Sequence, residues 1–308
     1  MSRLGNISNE RNHKRTLGHL DLNVPPMPHT MFEAMRIMEN AESADHARVV
    51  RMAENDPLVA VRLLRVVNSA YYAFSREVTD VDRAVRLIGP GAVAALVTGM
   101  NVMRLESAMT GPAGELYTRL MRHAVATGWM GQWLWSRLDP SANARTAFTA
   151  GLLQDFGRIV LVYSYPEDAI RFYEEEANRS PDAWLAAEAS VFGCSSAEAA
   201  RHVADEMDFT GEMRRVLKGK IEGPLADILE AADASARAFG FAFHDPVDWG
   251  QCATLEVWDR LVGRYPARAG EPEELIANVM EARDNLQRYV HQMMSSKSGS
   301  PRGFRPAA

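Results

Sequence analysis

Apolar residues recur along this chain at helical rather than strand spacing. Met31, Met35 and Met38 stand four and three residues apart, which marks one face of a helix over about 30–40. The period continues through 45–54, through Leu58, Val61, Leu64 and Val67, through Val81, Ala84, Val85 and Ile88, and through Val93, Leu96, Val97 and Met100. Breaks fall at Asp56-Pro57, Ser75-Arg76 and Gly89-Pro90-Gly91, where proline and glycine interrupt a helix. Beyond Gly111-Pro112 the pattern predicts helices at about 115–137, 143–154, 157–164, 167–178, 182–191, 196–207, 212–218, 225–239, 252–263 and 273–294. No alternating β-branched run intervenes, so the expected class is all-α, a multi-helix bundle in two packed lobes. Their expected bounds are 23–110 and 111–240, with a helical extension at 241–294. A polar arm at 1–22 and a Ser/Gly/Pro-rich tail at 295–308 are expected to be flexible. Val24-Pro25-Pro26-Met27-Pro28 reads as an extended lead-in, because each proline disfavours helix at the residue before it.

Composition narrows the function classes. Hydrophobic residues make up 47% of the 308 and charged residues 24%, the mixture of an ordinary globular protein. No run approaches the roughly 18 apolar residues that cross a bilayer, and the first residues lack an apolar signal region, so no membrane and a cytoplasmic location are expected. Cys194 and Cys252 are too few for a disulfide framework and lack finger-like spacing, so they read as inert packing thiols. The net charge is −6, with +3 in residues 1–20 and +3 in 292–308, which leaves a body near −12. Such a surface repels a phosphate backbone, so no nucleic acid partner is expected.

Three ordered stretches carry a family resemblance. They are Val24-Pro25-Pro26-Met27-Pro28, the run from Asp56-Pro57 to Asn68-Ser69-Ala70-Tyr71-Tyr72, and the run from Val78 to Gly89. Together they strongly resemble the HDOD family. Asp56 before Pro57 reads as an N-cap followed by proline at the first helical position. Asn68 and Ser69 read as closing that helix, with Asn68 bonding the backbone of the following turn or, alternatively, touching a ligand or partner.

The second half resembles the part of this family that derives from HD phosphohydrolases. The residues are His123 on a long helix, Gly151-Leu152-Leu153-Gln154-Asp155-Phe156-Gly157-Arg158 at the name-giving pair, and Ala232-Asp233 on a later helix. In active HD enzymes a His, a His-Asp pair and a distant Asp hold a divalent metal that polarises phosphate and supplies a hydroxide nucleophile. Here the pair is Gln154-Asp155, and a carboxamide is a weak substitute for an imidazole ligand. A second departure lies at Phe192-Gly193-Cys194-Ser195-Ser196-Ala197-Glu198-Ala199-Ala200, where many relatives carry His near Ser196 and Gly near Ala200. The resemblance therefore implies a degenerate remnant of His123, Asp155 and Asp233, with no metal, no cofactor and no catalytic residue. It implies a regulatory role in bacterial signal transduction, with signalling proteins as partners, a possible nucleotide ligand and a possible homodimer. A metal-dependent phosphohydrolase or cyclic-nucleotide phosphodiesterase using those three residues is the first rival, and a nucleotide sensor without turnover is the second.

The remaining features have plain structural readings. Trp129 and Trp133, with Trp135 nearby, follow His123 at helical spacing and read as core, or as a partner surface where exposed. His244-Asp245 beside Pro246 reads as a chance loop pair, and Glu174-Glu175-Glu176 as a solvated face. Arg214, Arg215, Lys218 and Lys220 form a basic patch expected to pair with neighbouring acids rather than with phosphate. No phosphate-binding glycine loop and no nucleophile motif is legible.

Overall fold

The computed structural model describes residues 22, 29–39, 43–69, 72, 74–104, 109–175, 181–206, 211–243 and 246–294. The proline-rich lead-in at 24–28, nearly all of the N-terminal arm, the tail and His244-Asp245 lie outside the described residues. The described chain is helical, without a strand. The first five helices are α1 (His29–Glu39), α2 (His46–Glu54), α3 (Pro57–Val67), α4 (Val81–Ile88) and α5 (Pro90–Arg104). The middle seven are α6 (Gly111–Leu138), α7 (Ala144–Leu153), α8 (Phe156–Ser164), α9 (Pro166–Glu175), α10 (Pro181–Phe192), α11 (Ser196–Glu206) and α12 (Gly211–Leu217). Then come α13 (Pro224–Ala236), a π turn at Arg237–Phe241, α14 (Trp249–Ala253), α15 (Val257–Arg264), α16 (Pro266–Ala269), α17 (Pro272–Glu281) and α18 (Arg283–Met294). No single helix among the described residues is long and apolar enough to cross a membrane.

The local signals place the ends of these helices. Asp56 accepts from the N–H groups of Leu58 and Val59, and Pro57 occupies the first turn of α3, where no N–H is missed. Gly89 has φ +83°, a conformation that suits glycine, and so turns α4 directly into α5. Asn68 takes the structural role. Its amide donates to the carbonyls of Leu64 and Val78 at 2.9 and 2.7 Å, and its oxygen accepts from Val78 N–H at 2.7 Å. That two-way bond clips the return of the chain onto the end of α3, where Val78 is buried. Ser69 is buried beside it, its N–H donating to Val66.

The buried apolar residues from Met31 to Met293 form one continuous core. Helix α6 is its axis, with α7, α13 and α18 packed on it. Helices α6 and α7 meet where Gly128 and Gly151 face each other. A Cβ on Gly151 would stand 2.8 Å from the Gly128 backbone, so two glycines are what permits this approach. Trp129 is 2% exposed and packs near Tyr289 of α18 with centroids 6.2 Å apart, so it belongs to the core. Trp133 and Trp135 are only partly buried, and the Arg137 guanidinium lies over the Trp133 ring at 5.4 Å. Cys194 and Cys252 are buried, and burial pushes both thiols up to about 11, which suits inert packing.

Candidate functional site: a buried His-Asp-Asp cluster

Three elements converge beside the α6–α7 contact. His123 lies midway along α6, Asp155 in the turn between α7 and α8, and Asp233 on α13. His123 and Asp155 are almost wholly buried, and the Asp233 side chain is 29% exposed. His123 Nε2 stands 3.0 Å from Asp233 Oδ1 and 3.3 Å from Asp155 Oδ2. Its other nitrogen, Nδ1, donates to the carbonyl of Phe241 at 2.9 Å. That carbonyl is turned toward the site by the π turn, in which Gly240 has φ 90° and the helical path of α13 ends. The sequence-predicted trio is thus brought together, with Gln154 next to it donating to Asp233 Oδ1 at 3.3 Å.

The cluster extends through residues whose part the sequence did not disclose. Arg158, one turn after Asp155, pairs with it through Nη1, and its Nε lies 3.4 Å from Glu188 Oε1. Glu188 comes from α10 and has no solvent exposure. It also accepts from the Tyr173 hydroxyl at 2.9 Å and from Ser196 N–H at 2.7 Å, which holds the start of α11. Arg237, one turn after Asp233, lies 3.5 Å from its Oδ2. The i,i+3 and i,i+4 spacings of Arg158 and Arg237 are a signal that reading for local pairs can find. Glu188 carries no such signal, because its partners lie on other elements.

Charge governs what this arrangement can do. Burial pulls His123 down, but hydrogen bonds and charge from Asp155 and Asp233 outweigh it and push its pKa up to about 10. Burial would raise Asp233, whereas His123 holds it below the usual carboxylate range. Arg158 stays charged, since Asp155 and Glu188 outweigh its desolvation. Burial and Glu188 push the Tyr173 phenol well up, so it remains a donor. His123 keeps its extra proton to about pH 10 when folded but only to its ordinary 6.5 when unfolded, so the folded state binds more protons between those values. The stabilisation it gives is therefore complete below pH 6.5 and is lost as pH rises toward 10. Urea unfolding of wild type against His123→Gln should show a stability difference that shrinks across that window. A difference that does not change with pH would contradict the assignment.

His123, Asp155 and Asp233 offer three donor atoms within 4.8 Å of one another, the arrangement in which an HD phosphohydrolase would hold a divalent metal. The surrounding residues do not fit that ion. Gln154 stands where the motif has an imidazole, and it aims its N–H donor at Asp233. Arg158 and Arg237 already face the two carboxylates. With protonated His123 they set three cations against Asp155, Asp233 and Glu188, so the cluster is balanced without a metal. A divalent cation would have to displace a proton from a strongly basic imidazole and add charge to a neutral buried site. Within the basic patch, Arg214 and Lys218 both pair with Asp205, at 2.7 and 2.6 Å.

Comparison with known proteins agrees with this fold. An HDOD domain of Geobacter sulfurreducens with unknown function is 16% identical, covers 93% of this chain and 97% of its own, and has a TM-score of 0.70. A Shewanella amazonensis SB2B protein provisionally named a metal-dependent phosphohydrolase is 17% identical, covers 95% and 100%, and has a TM-score of 0.62. A Marinobacter aquaeolei VT8 protein provisionally named a signal transduction protein is 18% identical, covers 94% and 65%, and also has a TM-score of 0.62. An uncharacterized protein of Treponema pallidum (strain Nichols) is 24% identical over 157 residues, 51% of this chain. The match spans only 30% of that relative's length. Residues 24–218 match the HDOD domain itself, and the chain belongs to the HDOD domain family.

Proposed function

We propose that this chain is a non-catalytic regulatory module of cytoplasmic signal transduction that works through protein contacts. The observation that carries the reading is the balanced cluster, in which Arg158 pairs with Asp155 Oδ1, Arg237 with Asp233 Oδ2, and the Gln154 amide reaches Asp233 Oδ1. The trio His123, Asp155 and Asp233 then serves as a fixed polar joint between α6, α13 and the α7–α8 turn.

A cleft of about 360 Å³ opens beside this cluster, lined by Gln154, Gly219, Ile221, Leu229, Glu230 and Asp233 among others. Its charged lining residues, Glu230 and Asp233, are already paired with Arg260 and with His123 and Arg237, and no lysine or arginine lines it to meet a nucleotide phosphate. That favours protein contact over nucleotide sensing.

The test is turnover. Assays with p-nitrophenyl phosphate, bis-p-nitrophenyl phosphate and cyclic dinucleotides, supplied with Mg²⁺, Mn²⁺ or Fe²⁺, should give no hydrolysis above an Asp155→Asn control. Metal-dependent hydrolysis abolished by Asp155→Asn would sink the proposal in favour of a phosphohydrolase. A saturable thermal shift with a nucleotide and no hydrolysis would instead point to a sensor.

A further inference from the structure

The C-terminal extension contains an apolar groove beyond the stretch that matches the family, which ends at residue 218. The groove has a volume of about 460 Å³ and lies between α14–α15 on one side and α17 on the other. Trp249, Leu255, Trp258, Ile276 and Met280 supply its apolar wall. Leu255 and Met280 are 36% and 38% exposed, so large apolar side chains face solvent here. The aromatic wall is already fixed. Trp249 stacks on Phe239 with centroids 5.1 Å apart and planes 11° apart, and Trp258 Nε1 donates to the Cys252 carbonyl at 2.7 Å. A preformed wall lowers the ordering cost of binding.

The charge around this groove has one sign. Asp259 and Glu273 line it, and neither lysine nor arginine does. The adjacent Arg260 is turned to Asp227 and Glu230, so it does not neutralise Asp259. By contrast, the exposed Asp205 and the buried Asp227 each hold two cations. Asp259 and Glu273 have none among the described residues. Exposed apolar side chains under an uncompensated acidic rim call for an occupant that is apolar in the middle and basic at its edges.

We infer that this groove docks a basic segment of a partner protein that inserts one large apolar side chain between α15 and α17. The inference rests on the reading that the chain acts through protein contacts, and it names the surface and the chemistry of the partner. The site also adjoins the buried cluster. Phe239, which backs Trp249, belongs to the π turn whose Phe241 carbonyl holds His123.

The experiment is calorimetric titration of the full chain with a short amphipathic Lys/Leu peptide and with a Glu/Leu peptide of the same pattern. The Lys/Leu peptide should bind saturably at one site and the Glu/Leu peptide should not. Leu255→Asn with Met280→Asn should weaken binding by about tenfold or more. Asp259→Lys with Glu273→Lys should abolish it and admit the Glu/Leu peptide. All four positions are exposed, and circular dichroism verifies that the variants remain folded. No saturable binding, or binding that both double variants leave unchanged, overturns the inference. So does a wild-type dimer that the Leu255→Asn/Met280→Asn variant splits, which would make the occupant a second copy. Binding that appears only after removal of residues 295–308 would assign the groove to the chain itself and overturn it as well. These substitutions lie away from His123, so failure here leaves the turnover and metal results, and with them the non-catalytic reading, independently decided.

Discussion

Glu188→Ala should lower stability by about 3–5 kcal/mol, the largest single effect expected in this chain. The carboxylate is wholly buried and serves three partners at once, Arg158, Tyr173 and the Ser196 N–H. Alanine takes one of its two carboxylates from Arg158 and removes the acceptor of the Tyr173 phenol and the Ser196 N–H, and a buried donor left unmet costs more than its bond contributes when made. The void left behind adds to the loss, since Tyr173 lies in an aromatic cluster with Phe172, Trp184, Phe192 and Phe243. Urea denaturation measures the effect. Glu188→Gln should lose less, because the amide still offers an oxygen acceptor. Glu188→Leu combined with Arg158→Met should recover part of the loss, because both members of the pair then leave together. A Glu188→Ala chain within about 1 kcal/mol of wild type would show that the ionic network contributes little.

Gly157→Ala should cost about 3 kcal/mol or more, although alanine in an exposed helix normally improves on glycine by up to about 1 kcal/mol. The sign is reversed by one contact. A Cβ on Gly157 in α8 would stand 1.8 Å from the Ser196 carbonyl oxygen at the start of α11, and that oxygen is backbone and cannot rotate aside. Helices α8 and α11 must separate, which strains the Ser196 N–H bond to Glu188 and the arginine two bonds further along. Thermal unfolding should therefore show a lowered midpoint, and Gly157→Ser should do no better. An unchanged midpoint would mean that α11 can shift freely.

Most helix positions were legible because their starts are marked chemically. Asp56-Pro57, Pro112, Pro181 and Pro224 each sit at or beside a helix start, where proline omits an N–H that the helix does not use. The extension was less legible. The helix expected at 252–263 is two, α14 and α15, parted at Thr254–Glu256, and Asp248 opens α14 with a capping box whose partner is Gln251. The helix expected at 273–294 breaks at Ala282, which is neither glycine nor proline, so no local signal marks the break. The π turn was announced only by Gly240, inside a run that reads as aromatic helix end.

For the site, sequence similarity was enough to bring out His123, Asp155 and Asp233, and the structure draws them together. Arg158 lay within the motif without an evident role. Glu188 could not be foreseen, because its place depends on how α10 packs between α9 and α11. Ser195 and Glu198 form a reciprocal helix cap that the Ser-x-x-Glu spacing does announce.

A His-Asp-Asp cluster closed by protein charges should hold no metal ion. Elemental mass spectrometry of the full chain, purified without chelator and without oxygen, tests it most directly. The expected result is far less than one divalent ion per chain, unchanged in Asp155→Ala. Stoichiometric iron, manganese or another divalent metal, lost in Asp155→Ala, would contradict it.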